Sequence, residues 1–309
     1  MSQLKGHLCM AGANTMWGLM APIAKLVMSV GVVMPLFLAN ARIVGAAVLF
    51  WLLSLTQPGE PVPAADKWRL AGAAMLSILF NQGCFIVGVG YTSPGEASII
   101  TTTMPMWVMA LGAIFFGQKL TLRKLGGIAL GAGGALMLIV SGMSTAVRGN
   151  NPLLGDILVL VAQMSYASYL LIYRNFIRRY SLVTLMKWMF TFASIGVIII
   201  SMPTMLATDY AALDGLQIAG VAYVVVCGTF LAYVCMTYGQ KTLRPEVVGM
   251  YNYLQPVISM LAGLSLGLDR FSPLKGLAIA MVFSGVYIVA TGASRQPERK
   301  LSIKANEQI

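Results

Sequence analysis

The chain has 309 residues, of which 58% are hydrophobic and only 10% are charged, and its formal net charge is +11. Soluble domains carry about 25% charged residues, so this composition excludes an ordinary globular protein and predicts a chain whose solvent is the lipid bilayer. The basic residues lie in short turns between apolar runs rather than on one patch, which argues against a nucleic-acid partner.

About twenty apolar residues are needed for a helix to span a bilayer. The chain contains ten such runs, separated by polar turns: 8–30, 33–55, 68–91, 94–116, 121–141, 153–173, 182–203, 215–238, 246–267 and 273–292. The sequence therefore predicts an all-α integral membrane protein with ten transmembrane helices.

The sequence contains no pattern that is typical of an enzyme or a metal site. His7 is the only histidine, and the four cysteines lie in apolar segments without forming a Cys-x-x-Cys pair. There is no Gly-x-Ser-x-Gly and no Asp-rich motif. We expect no catalysis, no metal and no cofactor. We also expect no cleavable signal peptide, because the apolar run from Leu8 is too long for one.

Lysine and arginine in short loops set the orientation of a membrane protein. With the N-terminus in the cytoplasm, 16 of the 21 basic residues fall on the inner side, whereas Arg148, Arg270 and Lys275 fall outside and Lys25 and Arg42 lie within the membrane. This asymmetry predicts a multi-pass protein of the cytoplasmic (inner) membrane with both termini in the cytoplasm, including a polar tail over 293–309.

One long segment occurs twice. Residues 92–134 match residues 243–285 at an offset of 151, so that Pro105 falls on Pro256 and Gly112 on Gly263. With five helices in each half, the halves must have opposite orientations. We predict two inverted repeats, 8–141 and 153–292, around a central cavity, which is the arrangement of alternating-access carriers.

Polar residues inside the membrane should face the bundle interior or a cavity. Helix one carries Asn14, Trp17 and Lys25 on one face, and an offset of 149 places the same order of amide, aromatic and cation in helix six, at Gln163, Tyr166 and Arg174. The candidate substrate-binding residues in the other helices are Asn81, Tyr233, Asn252 and Gln255.

Each candidate also has a plainer interpretation. Trp17 can be a packed aromatic, Lys25 can extend to the outer headgroups, and the hydroxyls of helix four, such as Thr101, can bond their own backbone. Pro105 and Pro256 can kink their helices, or can act as hinges in gating.

Arg42 is the strongest single candidate for substrate binding. An arginine deep in the membrane is costly unless it meets a carboxylate, carbonyls, water or an anionic substrate. With Lys25, it would attract a carboxylate or a phosphate.

Acidic residues within the membrane are few. Glu96, at the start of helix four, is the candidate for ion coupling and is expected to pair with Lys25 or Arg42. Asp156 and Glu246 lie in first turns, where an anion caps a helix favourably. We therefore expect no strongly ion-coupled pump.

Small residues at every fourth position predict close helix packing in lipid. Gly127, Gly131 and Ala135 form such a face on helix five. On helix ten, the expected packing face consists of Gly276, Ala280 and Ser284.

Several motifs occur in a characteristic order: Trp17-Gly18 with Lys25, Ala41-Arg42, Thr92-Ser93 through Pro105 to Leu120-Thr121, and Arg244-Pro245-Glu246 through Tyr251 to Gln255-Pro256. Over residues 8–292 the chain resembles the drug/metabolite transporter superfamily, in particular EamA-type transporters with two EamA domains. The resemblance implies a ten-helix carrier that exports or exchanges small metabolites such as amino acids by alternating access.

One departure from this family is visible. Such repeats commonly have Gly-Glu before the Leu-Thr turn, whereas this chain has Gly117-Gln118 and Leu268-Asp269.

A carrier of phosphorylated or nucleotide-linked sugars is the alternative function, and a passive channel is less favoured.

Overall fold

The computed structural model describes residues 2–29, 31–117, 121–142, 151–173, 176, 179–243, 251 and 254–292, and within these ranges the regular structure is entirely helical. The α-helices, in chain order, are α1 Ser2–Ser29, α2 Pro35–Ser54, α3 Ala64–Ala74, α4 Asn81–Tyr91, α5 Pro94–Thr101, α6 Met104–Phe116, α7 Leu122–Gly142, α8 Pro152–Ile172, α9 Leu182–Ala207, α10 Gly215–Val225, α11 Ala232–Thr242, α12 Leu254–Ser265 and α13 Pro273–Gly292.

Five helical segments of the described chain are long and apolar enough to cross a membrane: α2, Ala64–Tyr91, α8, α9 and Gly215–Gly239. The pair α5 and α6, bent by 41°, brings the number to six if it forms one span, and α12 and Pro273–Ile288 are shorter apolar helices. Described helices lie in each of the ten predicted runs. The count of ten membrane spans stays a prediction.

Local sequence signals begin and end several of these helices. The hydroxyl of Ser93 accepts a hydrogen bond from the backbone N–H of Glu96, and Pro94 follows as the first residue of α5. At the other end of this helix pair, Gly117 adopts a positive φ of 62° after α6, and Gly267 does the same after α12, with a φ of 67°. Glycine takes this left-handed conformation without the steric cost of a Cβ.

The internal repeat is visible in the helix boundaries. Two π-helical turns, Met75–Phe80 and Val226–Leu231, interrupt their spans 151 positions apart. The same offset relates the starts of α3 and α10, both ends of α4 and α11, and the starts of α7 and α13. A duplicated sequence has therefore folded into duplicated local geometry, including the π-turns, which are rare in helices.

Contacts between the halves are reciprocal. Gly88 of α4 lies against Val159 of α8, and the equivalent residue Gly239 of α11 lies against Met10 of α1. Likewise, Gly134 of α7 faces the carbonyl of Ala278, and its equivalent Gly285 faces the carbonyl of Gly127. Each residue and its equivalent thus make the same contact in opposite directions across the two halves. A two-fold relation between the halves produces this pattern.

Within the described ranges, apolar side chains form three buried clusters. The first joins α1, α2, α4 and α8, with residues such as Leu38 and Ile86. The second joins α2, α3 and α9 around Phe50 and Phe190, whose stacked rings have centroids 5.5 Å apart. The third joins α5, α6, α7 and α13. The polar residues discussed below lie beside the first two clusters or at one end of the bundle.

The predicted packing face of helix ten was wrong. In α13, Ala280 and Ser284 are exposed, and Gly276 faces Phe271 of the same half. The buried face consists of Ala278, Val282, Gly285 and Val286. A spacing of four residues fits more than one face of a helix rich in small residues, and apolar burial against α7 selects this one.

Candidate functional site

The centre of the described bundle contains a group of aromatic side chains. The ring of Trp17 meets that of Tyr233 edge-on, with centroids 5.7 Å apart, and Tyr233 also meets Phe190 edge-on at 6.2 Å. The hydroxyl of Tyr233 accepts a hydrogen bond from Nε2 of Gln82 at 3.1 Å. The structure thus brings together Trp17 of α1 and Tyr233 of α11, which are both predicted site residues. It adds the amide of Gln82, which the prediction did not include.

Arg42 is almost fully buried, with 4% of its surface exposed. Its Nε donates to the hydroxyl of Thr229 at 2.8 Å, and this hydroxyl donates in turn to the carbonyl of Val224. Thr229 lies in the second π-turn, which breaks the regular helical hydrogen-bonding pattern. Tyr233 lies one helical turn after Thr229 in the same span, and Arg42 lies near it. The guanidinium is therefore fixed beside the aromatic group.

Asn14 and Gln255 meet directly. The amide nitrogen of Gln255 donates to the Oδ1 of Asn14 at 2.7 Å, while the Nδ2 of Asn14 donates to the carbonyl of Met10. This bond connects α1 of the first half to α12 of the second half. Both residues were predicted as hydrogen-bonding groups of the site, and the structure makes them partners of each other.

Helix α8 holds two further predicted residues. Gln163 is 7% exposed and has no hydrogen-bond partner within the described part of the chain. Tyr166 packs on Tyr169, with ring centroids 5.6 Å apart, and packs against the same apolar cluster as Tyr233. Asn81 instead donates to the carbonyl of Ala162 at 2.8 Å, which fixes α4 on α8.

A second polar group, which we call the Lys275 cluster, lies at one end of the bundle. It consists of Glu96, Asp269 and Lys275 with Thr92, Ser93 and Asp156, and each of these residues is at most 8% exposed. The Nζ of Lys275 lies 2.7 Å from Asp269 Oδ1 and 3.3 Å from Glu96 Oε1. The cluster joins the start of α5 in the first half to the start of α13 in the second.

The expected pairing of Glu96 with Lys25 or Arg42 holds in part. Glu96 forms an ion pair with Lys275, whereas Arg42 is bound to Thr229. Lys25 interacts electrostatically with Glu96 and donates to the carbonyl of Gly90 at 2.7 Å. Lys275, which the charge pattern predicts to be solvated on the outer side, lies in the first turn of α13, where its charge is buried between two carboxylates.

Asp156 is not the cap of its helix. Asn151 caps α8 by accepting from the backbone N–H of Leu154. Asp156 is fully buried and accepts a hydrogen bond from the hydroxyl of Thr92 at 2.5 Å. Asp269 accepts from Ser93 at 3.3 Å and from the backbone N–H of Gly95 at 3.1 Å. The acidic residue that replaces glutamate in the second repeat therefore contacts the first repeat.

The predicted hinge prolines lie at helix starts. Pro105 is in the first turn of α6, directly after the break at Thr102 and Thr103 that separates α5 from α6. The hydroxyls of these threonines bond carbonyls three residues back, as in the plainer interpretation. Pro256 is buried near the start of α12. Asn252, Arg174 and Glu246 lie outside the described residues.

The opposite end of the bundle has its own polar contacts, which join α3 and the segment before it to the start of α9. Glu60 accepts from the backbone N–H of Ser181 at 3.1 Å and from its hydroxyl at 2.8 Å. Hydrogen bonding by Thr184, and then by Ser181, lowers the pKa of Glu60 from its ordinary value. The hydroxyl of Tyr180 donates to Asp66, and this bond raises the pKa of Tyr180.

Sequence reasoning missed Gln82, Asp269, Lys275 and Thr92. A signal for Gln82 existed, because the offset of 151 places it on Tyr233, which was a predicted site residue. For Asp269 and Lys275 the sequence showed only polar residues near a turn, and their burial depends on contacts with α5 that the sequence does not reveal.

Comparison with known proteins is consistent with this architecture. The model of the EamA-like transporter family matches twice, over residues 4–140 and 153–291. The uncharacterized inner membrane transporter YedA of Escherichia coli K12 is 26% identical over 261 residues, which cover 84% of this chain and 82% of YedA. The uncharacterized transporter YetK of Bacillus subtilis is 21% identical over 299 residues, covering 96% of this chain and 89% of YetK.

A solved crystal structure shares the fold, with a TM-score of 0.60 and 16% identity, and the match covers 95% of this chain and 98% of the other. The predicted family is confirmed by the two matched ranges, which together span most of the sequence. A membrane protein with a transporter role follows from this membership and from the apolar helices. The chain belongs to the EamA-like transporter family.

Proposed function

We propose that this protein is a secondary transporter that moves small metabolites such as amino acids across the cytoplasmic membrane by alternating access, as an exporter or an exchanger. The reciprocal contacts between the halves carry this proposal. Two halves related in this way can exchange roles, so that a centre between them opens alternately to either side. An odd number of spans in each half gives the inverted arrangement.

The Lys275 cluster supports a closed gate at one end. Besides the ion pairs of Lys275, the hydroxyl of Ser259 in α12 donates to the carbonyl of Pro94 at 3.0 Å. The Lys275–Glu96 pair and the Ser259–Pro94 bond both connect the start of α5 to the second half, and they must break if the halves separate there. With both termini in the cytoplasm, this end faces outward, and Glu96 acts in the gate.

The central residues support an amino acid rather than a sugar phosphate. The alternative cargo would favour a second cation beside Arg42, and Lys25 was the candidate. Lys25 lies instead against Gly90 and Glu96, in the neighbourhood of the gate. The centre then offers one guanidinium, amides and aromatic rings, which suit a carboxylate with a small body.

Counterflow in vesicles tests the proposal. Purified protein is reconstituted into liposomes loaded with an unlabelled amino acid, and uptake of the same labelled amino acid is followed. We expect uptake above that of empty liposomes, and loss of uptake in Arg42→Ala at equal protein content. Uptake by the wild type that never exceeds the empty-liposome control, across the standard amino acids, would refute the function.

A further inference from the structure

The Gln82–Tyr233 pair marks the relation between the halves. The two residues are 151 positions apart, which is the offset between equivalent positions of the third and eighth spans, and they are hydrogen-bonded to each other. Equivalent residues in a two-fold arrangement touch each other only where the axis passes between them. The pair therefore lies on the approximate two-fold axis of the protein.

Aromatic side chains from both halves surround this point. Trp17 lies edge-on against Tyr233, and Tyr166, the equivalent of Trp17 at the offset of 149, packs against the same apolar cluster as Tyr233. Phe190 contacts Tyr233 from α9. The axis thus passes through a mostly apolar environment with few polar atoms.

Those polar atoms are not all satisfied. Gln82 is 2% exposed, and its Oε1 has no hydrogen-bond partner. Tyr233 accepts the bond from Gln82, and no described residue accepts the hydrogen of its hydroxyl. Arg42 donates through Nε, while its two terminal nitrogens have no hydrogen-bond partner in the described ranges. Buried polar groups in native proteins normally have partners, so the unused acceptor of Gln82, together with the unused donors of Tyr233 and Arg42, supports a ligand in this region.

We propose that the Gln82–Tyr233 pair is the centre of the substrate site, and that the site takes an amino acid with an apolar side chain. The carboxylate binds Arg42 and the Tyr233 hydroxyl, the ammonium group donates to Oε1 of Gln82, and the side chain packs against Trp17 and Tyr166. The inference rests on the proposed transport function and narrows its substrate class.

The chemistry of each group supports this assignment. Arginine binds carboxylates through its planar fork of donors, and Thr229 fixes the orientation of that fork. A neutral amide oxygen accepts from an ammonium group, and aromatic faces attract the same cation. The apolar walls provide few partners for the hydroxyls of a sugar, and they disfavour a charged side chain.

The experiment uses two matched ligand sets and the thermal stability of the purified full-length protein. Each set shares one apolar body: L-leucine with 4-methylpentanoate and 3-methylbutylamine, and L-phenylalanine with 3-phenylpropanoate and 2-phenylethylamine. Binding to the folded state raises the unfolding temperature in a concentration-dependent way, from which apparent affinities follow. We expect the wild type to prefer at least one of the amino acids over both of its truncated analogues.

In Gln82→Leu, the ratio of the apparent affinity for the amino acid to that for its deaminated analogue should fall by about tenfold or more. The reason is the loss of a hydrogen bond to a charged group. Gln82→Glu keeps an acceptor and should keep the preference. Gln217→Leu is the matched control, because it removes another buried glutamine, at the start of α10, and should leave the preference unchanged. Gln82→Met serves in place of Gln82→Leu if the latter does not fold.

The two hypotheses fail differently. If the wild type binds an amino acid and Gln82→Leu or Gln82→Met retains the full preference over the deaminated analogue, the assignment of Gln82 is wrong while transport stands. If the wild type binds none of the six compounds, the apolar amino-acid class is wrong. Counterflow with the remaining amino acids then decides the proposed function separately.

Discussion

The ammonium group of Lys275 lies 2.7 Å from the carboxylate of Asp269, and both side chains are almost fully buried. The same ammonium group lies 3.3 Å from Glu96 in the first half of the chain. One lysine is therefore the shared cationic partner of two buried carboxylates that belong to different halves. Charges in such a place depend on their partners, because each would be costly alone.

Lys275→Met should destabilise the protein by about 3–5 kcal/mol, since the substitution leaves two buried carboxylates without their cation. Thermal unfolding of the purified protein measures the loss. Asp269→Asn combined with Lys275→Met should cost less than the sum of the single substitutions, because the pair is coupled. Lys5→Met, at an exposed lysine, is the control. Additive effects would contradict the direct pairing.

Thr229→Val should impair transport while costing only about 1–3 kcal/mol of stability, because the acceptor that orients Arg42 is removed and the shape is kept. Thr237→Val is the matched control, since the partner of the Thr237 hydroxyl among the described residues is the carbonyl of Tyr233 in its own helix. Counterflow at equal protein content provides the measurement. Equal rates for Thr229→Val and the wild type would show that the orientation of Arg42 is unimportant.

Gly285→Ala should destabilise the contact between α7 and α13 by about 1–3 kcal/mol, because the new Cβ would lie 2.6 Å from the carbonyl oxygen of Gly127. Gly134→Ala should have a similar effect through the reciprocal contact with Ala278. Gly126→Ala in α7 is the control, because its Cβ would meet nothing within 4 Å. The unfolding temperatures of the three variants are compared in one detergent. We expect Gly285→Ala and Gly134→Ala to unfold at a lower temperature than Gly126→Ala.

The contact between Glu60 and Ser181 should weaken in acid. The pKa of Glu60 is lower in the folded protein than its ordinary value, so the carboxylate contributes stability above the ordinary pKa, and this contribution is lost as the pH falls through the folded value. Glu60→Gln should therefore differ from the wild type at neutral pH and converge with it at low pH. Hydrogen exchange of the loop containing Ser181 measures this locally, and a difference that grows in acid would contradict the assignment.

The sequence was sufficient for the family and for the helical regions, because runs of apolar residues and a repeat of fixed offset are local or periodic signals. The sequence also predicts that Trp17, Tyr233 and Arg42 face the interior of the bundle, because each is a polar or aromatic residue within an apolar run. It could not show that Arg42 pairs with Thr229, because this bond depends on the π-turn that displaces Thr229 from its regular helical position.

The errors concern helix ends and helix rotation. The sequence predicts Asp156 to be a cap because this residue lies near a helix start. It predicts Lys275 to be a solvated charge of the outer side, because Lys275 also lies near a helix start. At a helix end, a shift of a few residues changes a solvated charge into a buried one. In α13 the exposed and buried small residues were exchanged, because only the contact with α7 distinguishes the two faces.

The contact between Gln82 and Tyr233 has a consequence for the evolution of the binding centre. In a dimer of identical five-helix chains, one residue type would meet its own copy at this point, and the centre would be forced to be symmetric. Joining the two halves in a single chain removes that constraint, so a glutamine can face a tyrosine. A centre of this kind can distinguish the two ends of an unsymmetrical molecule, which a self-matched pair cannot do.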